Sequence, residues 1–176
     1  MTFRGFLPVR DPHGSAGAIG PGRPVSEAHS IEEAEPVYAS RLAEFSERDW
    51  DLLDEALRRV DSADSFGTWT ESVLQEDGSW LMPFATLSIE CDDFLRTLAG
   101  LGLHVPFDWT AWEHGRALAG VPERLDHATP AEAAMVIFAI WRSDRFVEGA
   151  LLDGFESGLI QHAARRMLSA GPRHEA

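Results

Sequence analysis

Arg142, Arg145 and Glu148 lie within one short stretch, Arg142-Ser-Asp-Arg-Phe-Val-Glu-Gly149, and could do two kinds of chemistry. Guanidinium forks match the oxygens of a phosphate or carboxylate, so the two arginines could hold an anion. Glu148, alone or with Asp108, could serve as an acid–base if a substrate lay between them. The bland alternative is a corner ion-pair network. In it Arg142 caps the preceding helix and Arg145 pairs with Glu148 three residues on.

Aromatic side chains gather upstream. Eight of the seventeen Phe, Trp and Tyr residues fall between Phe66 and Trp112. They form two compact words, Trp80-Leu-Met-Pro-Phe84 and Pro106-Phe-Asp-Trp-Thr-Ala-Trp112. Trp109 and Trp112 are three apart and would be neighbours on a helix surface, where they could pack into the core or flank a planar ligand. If the three words converge, Trp80, Trp109 and Trp112 form walls, and Asp108, Arg142, Arg145 and Glu148 the polar contacts. Such a constellation suits a concave binding site.

Other chemistries find little support. The seven histidines never recur three or four apart, and with one cysteine no metal site is expected. No Gly-x-Ser-x-Gly elbow occurs, and Cys91 falls within an expected amphipathic helix, where a structural role is favoured over a reactive thiolate. Gly17-Ala-Ile-Gly-Pro-Gly22 lacks the strand and helix that would make it a phosphate loop. No cofactor is expected.

Charge narrows the partners. Of the net charge of −14, residues 1–24 contribute +2 through Arg4, Arg10 and Arg23 against Asp11, so the remainder carries −16. So acidic a body repels phosphate backbones and anionic bilayers, which disfavours nucleic acid and membranes and leaves a small molecule or a basic protein. The single cysteine gives no intramolecular disulfide, and no signal peptide or 18-residue apolar run is evident, so a cytoplasmic location is expected.

The elements that must position these residues follow from local signals. Residues 1–30, rich in Gly and Pro, are expected to form a disordered arm, with residues 31–171 one globular helical domain and 172–176 a disordered tail. Ser26 to Glu35 can start a helix that Pro36 should interrupt or end. Ser46 should cap a helix running to Val60, with Phe45 stapled onto Trp50. Thr68–Val73 and Trp80–Leu87 read as a hairpin whose second strand Pro83 breaks or confines to an edge. Ser88 opens a helix that Gly100 and Gly102 close, and Asp108 is expected to cap another through Ala119, with Phe107 stapled onto Trp112.

Thr129-Pro130-Ala131-Glu132 combines an N-cap, a proline at the first helical position and a capping-box glutamate. The helix it opens is apolar almost all round through Trp141, which suits the centre of a bundle. Two further helices are expected, one with Phe146, Val147, Leu151 and Phe155 on its buried side, the other Leu159–Leu168. The fold class expected is mainly α (α+β): a single bundle of five or six helices with a small β-hairpin.

The three words, in this order, resemble a bacterial family known as domain of unknown function 6508, over about residues 45–170. The resemblance implies the extent of the domain and transfers no activity. Where related segments carry Cys before the Glu-Gly pair, this chain has Val147, which argues against thiol chemistry there. The function favoured is a non-catalytic binding or accessory module with an aromatic and charged pocket. One alternative is a small enzyme or binder for a nucleotide or ADP-ribose-like ligand, with Glu148 or Asp108 as acid–base and Arg142 or Arg145 on phosphate. Another is an acidic protein-interaction domain.

Overall fold

A computed structural model describes residues 29–172 of the chain. The expected N-terminal arm and C-terminal tail fall largely outside these residues, although His29 and Ser30 fall within them. Seven α-helices are defined: α1 (Ile31–Ala43), α2 (Glu47–Asp61), α3 (Ile89–Gly100), α4 (Glu113–Gly120), α5 (Pro130–Ser143), α6 (Ala150–Glu156) and α7 (Leu159–Leu168). Short 3-10 turns at Trp109–Ala111 and Pro122–His127 flank α4. The mainly helical class with one small hairpin is as expected.

Helix α5 organises the rest. Ala131 and all six residues from Ala133 to Phe138 are buried, so no side of this segment faces water. It packs against α7, α1, α4 and α6, while α2 bridges α3 and α7. Its start carries the expected capping box: the Glu132 N–H donates to Thr129 Oγ1 at 3.1 Å and the Thr129 N–H donates to Glu132 Oε2 at 2.6 Å. The Thr129 hydroxyl also donates to Glu35 Oε1 on α1 at 3.1 Å.

Helix α1 departs from expectation. Pro36 lies inside it rather than ending it. The missing N–H would have bonded the Glu32 carbonyl, and both residues are exposed, so water can satisfy that oxygen. Fully buried Tyr38 holds the second half in place by donating its hydroxyl to the Val105 carbonyl at 3.1 Å. Burial pushes the phenol well above its ordinary pKa. Helix α2 follows the sequence closely, with a Ser46–Asp49 capping box and Phe45 and Trp50 ring centroids 4.9 Å apart.

The hairpin is a two-stranded ribbon in two sections. Strands β1 (Gly67–Thr70) and β4 (Phe84–Leu87) pair antiparallel at its base, with Trp69 opposite Ala85. Strands β2 (Val73–Leu74) and β3 (Trp80–Leu81) pair further out, with Leu74 opposite Trp80. Between the sections lie Glu71-Ser72 and Met82-Pro83, the break that Pro83 signals.

Replacing Thr129 by Ala removes both the α5 cap and the tie to α1. Chemical denaturation should show a loss of about 1 kcal/mol, and Thr129→Ser should recover most of it.

Candidate functional site

The Pro106 word is anchored at both ends. The His29 N–H donates to the Pro106 carbonyl at 2.9 Å, setting His29 beside Phe107 as a parallel bridge. Phe107 is buried and packs edge-on against Trp112 at 5.6 Å and at a shallow tilt against Phe138 at 5.4 Å. The expected staple contact therefore forms, but the helix does not start at Asp108. Asp108 makes no capping bond to an amide, and its Oδ1 instead accepts the Thr110 hydroxyl at 2.7 Å. The chain makes a 3-10 turn there, and α4 begins only at Glu113.

Trp112 is 6% exposed, with its indole lying across Gly115, where any Cβ would collide with the ring. Half-buried Trp109 lines the same groove from the other end. With Arg116, Ala119, Ile140 and Ser143 they enclose about 160 Å³, almost wholly apolar. Arg116 is held at the rim by donating to the Thr110 carbonyl at 2.6 Å.

The Asp144 word differs most from its expected form. Gly149 has φ +83°, a left-handed conformation, so α6 starts only at Ala150. Phe146 and Val147 are thereby left 75% and 60% exposed instead of buried in a helix face. The expected ion pairs are absent among the described residues. Asp144 Oδ1 accepts the Leu151 N–H at 2.9 Å, which caps α6. Glu148 Oε1 accepts the Ala85 N–H of β4 at 2.9 Å. Both carboxylates are committed to backbone amides, and among the described residues Arg142 and Arg145 make no ion pair.

Two of the three words do converge. Trp109 and Phe146 lie 6.3 Å apart between ring centroids, and Gly149 abuts the Trp69 indole so closely that a Cβ would strike it. His104, just before the Pro106 word, lies edge-on to Phe138 at 5.0 Å and to Trp141 at 4.9 Å. His104 is exposed overall, but partial desolvation, then Arg142 and Arg145, hold its imidazole below the ordinary pKa. The unfolded chain thus takes up this proton first, and His104 costs stability as pH falls below its ordinary value.

Trp80 does not join this assembly. It stands 63% exposed on the outer ribbon, where β3 packs against β2. Around it Val73, Leu74, Leu81 and Met82 are exposed, as are Trp69 and Phe84 nearer the base. The Glu148 bond and the Gly149 contact bring exposed Phe146 and Val147 to that base. Exposed apolar side chains thus run from the Asp144 loop out along the ribbon, Val73 with Leu81 on one face and Leu74 with Trp80 on the other. Their extent escaped sequence reasoning, which gave Phe146 and Val147 to a helix.

Elsewhere the chemistry is modest. Cys91 is fully buried, and burial raises its thiol pKa. Among the described residues no three His, Cys, Asp or Glu side chains gather as metal ligands, and no helix is long and apolar enough to cross a membrane. His162 Nε2 meets Asp126 Oδ1 at 2.8 Å beside an open depression that Arg165, Arg166 and Ser169 also line, a pair 36 residues apart that no spacing announces. The nearby Ser169 hydroxyl donates to the Arg166 carbonyl at 2.6 Å, so it is not poised against that histidine as a nucleophile.

Trp112 closes the groove and the core together, so Trp112→Ala should lose roughly 3–5 kcal/mol of unfolding free energy in denaturant titration. Half-buried Trp109→Ala should lose clearly less.

No curated protein and no solved structure matches this chain. A family model does, over residues 45–171, the span that holds α2 to α7, the ribbon and both converging words. The chain belongs to that family, the family of unknown function DUF6508.

Proposed function

We propose that this domain is a non-catalytic interaction module whose ribbon docks on a partner protein. The supporting observation is the run of exposed large apolar side chains along the ribbon, Trp69, Val73, Leu74, Trp80, Leu81, Met82 and Phe84. Folding gains little from leaving these in water, and contiguous exposed apolar surface marks interaction sites. Tryptophan and methionine are enriched in such contacts, the one as a rigid anchor and the other as an adaptable filler.

The ribbon also lacks the usual protection of a free edge. Between Gly67 and Leu87 there is no basic residue, and Pro83 alone interrupts the strands. Its charges are Glu71, Glu76 and Asp77, all exposed. The partner that fits is a protein surface offering apolar pockets among basic groups, and the acidity of the whole chain would speed their encounter.

A second reading, a small ligand between Trp109 and Trp112, has the groove in its favour. At about 160 Å³ it falls short of the roughly 300–1,000 Å³ of ordinary ligand pockets, so a nucleotide or ADP-ribose-like molecule would project well beyond it.

The test is reconstitution with a partner first captured from source cells and then purified. Trp80→Ala and Met82→Ser should each weaken its binding in titration calorimetry, the tryptophan by about 2 kcal/mol or more. Ala119→Phe, which fills the groove, should leave binding unchanged. The opposite pattern, ribbon variants neutral and Ala119→Phe disruptive, would transfer the site to the groove.

A further inference from the structure

We propose that His104, Arg142 and Arg145 form a subsite for the phosphoryl group of a phosphate ester, separate from the ribbon surface. Carboxylates outnumber arginines about two to one in this chain, with 29 Asp and Glu against 15 basic residues. An arginine left without one is therefore unusual. Six of the described arginines pair with carboxylates, two more donate to backbone carbonyls, and Arg48 lies beside Asp49. For Arg142 and Arg145 no ion pair forms among the described residues, and the titratable group on which both act is another base, His104.

Placement brings the three together. Phe138 and Trp141, the rings that flank His104, lie on one side of α5. Arg142 is one turn beyond Phe138. The helical bonds continue past the end of α5, with the Asp144 N–H donating to the Ile140 carbonyl and the Arg145 N–H to the Arg142 carbonyl, so Arg145 follows one turn beyond Trp141. This side faces away from the groove, which takes Val136, Ile140 and Ser143.

The nearby acids are turned elsewhere. Asp144 caps α6 and Glu148 holds β4, and among the described residues neither carboxylate forms an ion pair with Arg142 or Arg145. Nor do the arginines serve the end of α5, whose Ile140 and Ser143 carbonyls accept from the following amides and the Ser143 hydroxyl. Two forked guanidiniums and an imidazole offer more donors than one carboxylate can accept. A phosphoryl group, with three acceptor oxygens and a charge near −2, matches them.

Binding such an anion must raise the His104 pKa, because it supplies the negative charge the site lacks. Arg142 at the end of α5 and Arg145 in the following turn are the charged groups that act on this imidazole.

The test is an NMR titration of the His104 ring resonances in the full chain with inorganic phosphate, at ionic strength held constant with sodium chloride. A saturable shift and a raised His104 pKa are expected. Arg142→Gln and Arg145→Gln should each weaken phosphate binding about tenfold or more, and each should raise the His104 pKa in the absence of phosphate. Arg142→Lys should keep that pKa low while still weakening binding, since it retains charge and loses the fork. No saturable shift at millimolar phosphate, or a phosphate response that survives both glutamine substitutions, would overturn the proposal. Glutamine variants that lower the melting temperature of a chain indifferent to phosphate would assign the arginines to stability alone.

Discussion

Helix α5 offers water no polar side from Ala133 to Phe138, and the rest of the structure answers that constraint. A buried helix satisfies its own backbone bonds internally but still needs its apolar surface covered on every side. Helices α1, α4, α6 and α7 supply the cover, and α2 with α3 closes the outer layer through α7. The first turn is secured by Thr129 and Glu132, and the last passes into the turn that presents Arg142 and Arg145. The groove and the Arg142–Arg145 turn are thus built against this buried helix, whereas the ribbon stands apart from it.

Where a signal is local, the sequence carried it. The Thr129 box, the Phe45–Trp50 staple and the Pro83 break each depend on residues within a few positions, and each forms. The Asp108 segment was half legible: Phe107 does meet Trp112, but the hydroxyl of Thr110 draws the carboxylate away from the amides it was expected to cap. Pro36 misled in the other direction, because the burial of Tyr38 outweighs one lost hydrogen bond at the surface.

The candidate site was less legible because its partners are distant in sequence. Nothing near Glu148 announces that it will reach the Ala85 amide 63 residues away. Nor does the periodicity of residues 146–155 reveal that Gly149 takes a positive φ against Trp69. Those two facts together expose Phe146 and Val147 and draw Glu148 to the ribbon and not to Arg145. The three words therefore divide: the second and third share a corner around Trp109 and Phe146, and Trp80 goes to the ribbon.

The central claim is that the outer ribbon's apolar side chains contribute nothing to folding and exist for contact with another protein. The most direct measurement is the unfolding free energy of a chain carrying Leu74→Ser, Trp80→Ser and Met82→Ser together, from denaturant titration of the isolated protein. If the claim holds, the value stays within about 0.5 kcal/mol of the unaltered chain, as for substitutions at ordinary surface positions. A loss of several kcal/mol would mean that these side chains are part of the core, and the ribbon would then be a structural flap with no surface to offer a partner.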